Sequence, residues 1–102
     1  MATDLRGVDD FPHFKTLTLD TNAHEVKLPS QCSQITAGSS SSALYIAQNG
    51  ATDGVAMPAD KMFIPAGNAF TVAIGRGASR ADSIFISSQG GSATATITLE
   101  EL

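Results

Sequence analysis

The stretch Ala93-Thr-Ala-Thr-Ile-Thr-Leu99 places threonine at every second position and a small or apolar residue at the others. A repeat of two belongs to an extended strand with one face buried and one face wet, because successive side chains point to opposite sides of the backbone. The same repeat recurs along the chain. In His24–Leu28, His24, Val26 and Leu28 fall on one face and the oppositely charged Glu25 and Lys27 on the other. In Phe14–Leu19, Leu17 and Leu19 oppose Thr16 and Thr18, and in Ala69–Ile74, Phe70, Val72 and Ile74 oppose Thr71 and Ala73. Ala43–Ala47 sets Leu44 and Ile46 against Tyr45, and Ser83–Ser87 sets Ile84 and Ile86 against Phe85. No segment carries the i, i+3, i+4, i+7 spacing of a helix.

Turn residues separate these segments. Asp20-Thr-Asn22, Pro29-Ser30, Ile64-Pro-Ala-Gly67 and Gly90-Gly91 each end a run, and Asn49-Gly50 is suited either to a tight hairpin or, with Asp53-Gly54 so near, to a longer loop. Gln31–Ala37 is a weaker strand carrying Cys32 and Ile35, and Ala59–Ile64, bracketed by Pro58 and Pro65, suits a short edge strand. Seven or eight short strands with frequent turns imply an all-β fold, a two-sheet antiparallel β-sandwich of jelly-roll or Greek-key type, over residues 13–102. Residues 1–12 are polar and acidic without periodicity and read as an extended N-terminal arm. Its apolar members Leu5, Val8 and Phe11 either pack on their own domain or dock on a partner.

Composition narrows the function. Apolar residues are 42% and charged residues 16% of the chain, the balance of a folding domain and the reverse of a disordered one. The net charge of −4 and six scattered basic residues exclude the clustered cations that nucleic-acid binding needs. Cys32 is the single cysteine, so no internal disulfide forms, which favours a reducing compartment. The first residues lack the apolar run of a signal peptide, and no stretch is long and apolar enough for a membrane span.

Catalytic chemistry finds few candidates. Gly77-Ala-Ser79-Arg-Ala81 is the nearest approach to a nucleophile elbow and lacks its strand-turn-helix setting. Cys32 with His13 or His24 would make a thiolate pair only if the fold joined them, and His24 on an apolar strand face is more simply a hydrogen-bonded core histidine. The loop carboxylates Asp53, Asp60 and Asp82 would hold calcium only if gathered at one end, and they lack the dense spacing of a calcium loop. Gly75-Arg-Gly77 with Arg80 is the only basic loop, suited to an anion nest or to an ordinary hairpin. No catalytic residue, metal or cofactor is expected. Tyr45, Phe63 and Phe85 would form an aromatic surface if the sheet left them uncovered.

The succession Ala43-Leu-Tyr-Ile-Ala47, Gly54-Val-Ala-Met-Pro58, Ile64-Pro-Ala-Gly67, Phe70-Thr-Val-Ala-Ile74, Ser83-Ile-Phe-Ile-Ser87 and Ala93–Leu99 resembles small β-sandwich structural proteins of tailed-bacteriophage virions. The resemblance spans Leu17 to Leu99 and rests on style, not on a diagnostic motif. It implies a non-enzymatic head-decoration (cement) protein, made in the host cytoplasm and placed on the virion, in many copies or as a homo-oligomer. Its partners would be the major capsid protein or other virion subunits, with Leu5, Val8, Phe11, Tyr45, Phe63 and Phe85 as possible contacts. The rival readings are a carbohydrate-binding module for host attachment and a neck or tail adaptor.

Overall fold

A computed structural model describes residues 2–48, 50–74 and 82–101. Among them nine strands form and no helix. They are β1 (Thr3–Asp4), β2 (His13–Leu19), β3 (His24–Lys27), β4 (Gln34–Gly38), β5 (Leu44–Ala47), β6 (Met62–Ile64), β7 (Ala69–Ala73), β8 (Ser83–Ser88) and β9 (Ala93–Glu100). One sheet has the order β1-β3-β8-β5-β6 and the other β2-β9-β4-β7. The chain is thus an all-β, two-sheet sandwich.

From β2 onward the pairing is nested: β2 with β9, β3 with β8, β4 with β7 and β5 with β6, all antiparallel. A long hairpin folded over on itself in this way is the jelly roll. Alternation explains why the two sheets stick. Ile84 and Ile86 of β8, Leu44 and Ile46 of β5 and Val26 of β3 face Ile97 and Leu99 of β9, Ile35 of β4 and Leu17 and Leu19 of β2 in one buried cluster. Each such aliphatic side chain contributes about 1.5–3 kcal/mol on leaving water.

Two local features resolve alternatives that the sequence leaves open. Residues 2–12 form an arm that packs on its own domain. β1 pairs in parallel with β3, Thr3 opposite Val26, and the Leu5 amide donates to the Lys27 carbonyl at 2.9 Å. Leu5 lies in the core, with Val8 and Phe11 partly buried against it. Of the two readings for these residues, the structure gives packing on their own domain, and Leu5 is not available to a partner. The physical reason is that the edge of β3 offers unpaired backbone and an apolar side opening, which the three side chains fill. Beyond β1, Arg6 clamps Asp4 through Nε at 2.9 Å and through its terminal nitrogen at 2.7 Å, holding the Asp4 carboxyl well below the usual carboxylate range.

The β5–β6 connection is the second. It is not a tight hairpin but the longer loop. Asn22 bridges Ala56, the Ala23 amide donates to the Val55 carbonyl at 2.7 Å, and the Glu25 amide donates to Asp53 Oδ1 at 2.9 Å. Since β3 is separated from β5 and β6 by β8, the loop traverses the sheet and returns. Ala47, Ser87 and Ala23, which alternation turns away from the core, are buried. That places the traverse over the sheet's outward side.

Candidate interaction surface

Position on the sheets decides which side chains meet solvent. β6 is an edge strand, as its flanking prolines lead one to expect, and pairs with β5 so that Phe63 lies opposite Tyr45 on the outward face. The two rings sit 5.8 Å apart between centroids, inclined at 58°, and the Lys61 ammonium stands 4.9 Å from the centre of the Tyr45 ring. Lys61 Nζ also donates to the Pro58 carbonyl at 3.1 Å, which fixes the cation in place. Phe63 is 45% exposed and its neighbour Met62 49%. Tyr45, Lys61 and Phe63 therefore form an apolar ridge with one cation along a sheet edge, while Met62, of the opposite parity, is exposed at the open rim of β6. Phe85, on the same face, is half-buried opposite Ala47 and Glu25 and adds little.

The other sheet presents a threonine-rich surface, with Glu100 at one end accepting from Gln34 Nε2 at 3.0 Å. Thr16 faces Thr96, Thr18 faces Thr94, and Thr36 faces both Thr98 and Thr71, with 2.7 Å between the Thr36 and Thr71 hydroxyls. Phe14 ends this array at 66% exposure. Beside it an open groove of about 470 Å³ runs between Ser39–Ser41 and the Gly67-Asn68 turn, floored by Thr94, Thr96 and Thr98.

The titratable groups are dispersed. His24 Nε2 lies 2.6 Å from Thr3 Oγ1, so it is the hydrogen-bonded histidine expected of a half-buried strand position. Burial pushes its pKa below the ordinary 6.5, partly offset by the Asp53 carboxylate. The buried Cys32 thiol donates to the Gln34 carbonyl at 3.3 Å. Asp53 caps the Glu25 amide, Asp82 accepts the Leu28 amide through its carbonyl at 2.9 Å, and Asp60 is exposed before β6. Among the described residues no three His, Cys, Asp or Glu side chains gather as a metal site. Gly75, Arg76, Gly77, Ser79 and Arg80 lie outside the described residues.

Met62, Phe14 and Val55 are exposed apolar residues that sequence reasoning did not single out. Parity already put Phe14 on the threonine face, and the prolines already suggested an edge at β6; only the strand order reveals that β2 is an edge as well. No helix of the described residues is long and apolar enough to cross a membrane. Comparisons with protein-family models, curated proteins and solved structures return no match.

Proposed function

We propose that this chain is a non-catalytic structural subunit of a tailed-phage virion that decorates the capsid, binding shell subunits through the Tyr45–Phe63 ridge. The observation that carries the reading is the outward Tyr45–Phe63 ring pair, with Phe63 nearly half exposed on a three-residue edge strand. Aromatic side chains are enriched in protein-contact cores and lysines are depleted there, so the two rings fit a contact and Lys61 would belong to its rim. Jelly rolls recur in viral shell and lectin domains, and the two uses are distinguished by the site and not by the fold. Rings inclined at 58° with an ammonium against one of them offer no flat platform for a sugar, which favours the protein partner.

Cryo-microscopy of the assembled particle tests the location: density for this chain on the head surface is expected, and density confined to the tail, or absent, overturns it. A Phe63→Asp variant tests the surface. It should keep the fold, because the ring is nearly half exposed, and lose binding to capsids that lack the subunit. Retention of wild-type binding would remove the ridge from the interface.

A further inference from the structure

Among the described residues the two sheets have four edge strands, β1, β6, β2 and β7. Three of them are guarded. β1 is two residues long, β6 is three and stands between Pro58 and Pro65, and β2 carries the exposed Lys15 at a core-facing position, opposite the buried Ile97. Short strands, flanking prolines and an inward-pointing lysine are the devices that keep an edge from meeting another chain. β7 has none of them. Ala69–Ala73 keeps five residues in unbroken register with β4, contains no proline, and lies within residues 62–74, which hold no charged side chain. We propose that β7 pairs with β7 of a second copy of this chain, antiparallel about a two-fold axis at Thr71, so that two four-stranded sheets become one continuous sheet.

The main chain supplies the pairing groups. The Ile74 amide donates to the Ser33 carbonyl at 2.8 Å, one step beyond the register pair of Gln34 with Ala73. Bonded and non-bonded pairs alternate along an antiparallel ladder, so Val72 and Phe70 turn their amides and carbonyls toward β4, while Ala73, Thr71 and Ala69 turn theirs away from it. The Ala73 carbonyl agrees with that direction, since it accepts Gln48 Nε2 at 3.0 Å. A carbonyl has two lone pairs, so this bond leaves one free. With Thr71 opposite its own copy, Ala69 falls opposite Ala73 of the second copy and Ala73 opposite its Ala69, and each pair exchanges two main-chain bonds.

The side chains fit the same axis. Ala69-Phe-Thr-Val-Ala73 reads almost alike in both directions, as a self-complementary contact requires. Alanine meets alanine and threonine meets threonine on the outward face, and Phe70 meets Val72 of the second copy on the inward one. Phe70 and Val72 are only partly buried against the core, so pairing covers apolar surface that one copy alone leaves wet. A chain of net charge −4 repels itself, and β7 brings no charge face to face with its like. Five residues are far fewer than the about 20–30 a side of a standard interface, so the dimer is concentration-dependent and not permanent. It does not rest on the virion reading, because it uses the main chain of β7, whereas the ridge lies on the outward face of the other sheet.

Sedimentation velocity of the full chain between about 10 μM and about 1 mM tests the pairing, because a contact this small belongs near the weak end of that range. A monomer–dimer equilibrium is expected, and the Thr71 amide should gain exchange protection as concentration rises. Thr71 is exposed, so Thr71→Lys and Thr71→Glu should each keep the fold while setting two like charges against each other across the axis. Each variant alone should associate at least about tenfold more weakly than wild type. An equal mixture of the two should recover association as a heterodimer. Both variants lose the hydroxyl that bonds Thr36, so recovery in the mixture traces the effect to charge across the axis. Phe63→Asp, which tests the ridge, should leave this equilibrium unchanged. A wild type that stays monomeric throughout, Thr71 protection independent of concentration, undiminished association of either Thr71 variant alone, a mixture no stronger than its components, or loss of the dimer in Phe63→Asp would each overturn the proposal.

Discussion

The carbonyl oxygen of Asn68 lies 2.6 Å from where a Cβ on Gly38 would sit. β4 ends at Gly38, opposite Ala69 of β7, and the Gly67 amide donates to the Ser39 carbonyl at 2.8 Å. The close approach of these two backbones shapes one wall of the threonine-floored groove. Gly38→Ala must push the 67–68 turn outward or bend β4, and should cost about 1–3 kcal/mol. Gly7→Ala is the control, because a Cβ there meets nothing within 4 Å. It should be neutral or stabilise by up to about 1 kcal/mol through the unfolded chain. Chemical denaturation of both variants checks the pair.

Leu5→Ala separates a docked arm from a free one. With Leu5 at 7% exposure inside the core cluster, truncation should lower stability by about 2–3 kcal/mol, the small end of the range for a buried leucine because the site lies at the sandwich margin. A denaturation midpoint unchanged from wild type would mean that the segment does not pack there.

Neighbouring residues of β9 should respond oppositely. Ile97 is fully buried between Lys15 and Ala37 in the register, and Thr96 is exposed. Ile97→Ala should cost about 2–5 kcal/mol, and Thr96→Ala should stay within about 0.5 kcal/mol. Comparable effects at both positions would mean that the strand's inward face is misassigned.

Cys32 is 1% exposed, with its thiol hydrogen-bonded to the Gln34 carbonyl. A thiol shut away from solvent in apolar surroundings is inert. An aromatic disulfide reagent should leave Cys32 unmodified in native buffer and titrate one thiol per chain in denaturant; prompt reaction in native buffer would contradict the burial.

Much of this architecture is legible before any coordinates. Alternation in β2, β3, β5, β7, β8 and β9 names the inward residues, because a half-buried strand has only one way to hide its apolar set. What stayed illegible depends on neighbours distant in sequence. β1 is two residues long and takes its place from the vacant edge of β3, so Thr3-Asp4 carries no pattern of its own. The Asn49-Gly50 signal is local, while the loop's path is set by bonds from Ala23 and Glu25. The exposed apolar set was half visible: Tyr45 and Phe63 were named from residue type, but Met62 alternates toward the core and is exposed only because β6 ends the sheet.

The nested pairing has a temporal consequence. β2 leaves the ribosome well before its ladder partner β9, which spans residues 93–100, and β4 also needs β9 on its other side. The sheet that holds β2 and β4 therefore has no centre until β9 is synthesised. Segments such as Thr16-Leu-Thr-Leu19 must wait, solvent-exposed, until then. With only 16% charged residues, such a waiting chain relies on its interposed threonines and serines to interrupt the apolar positions, and folding rates should bear the mark of these distant closures.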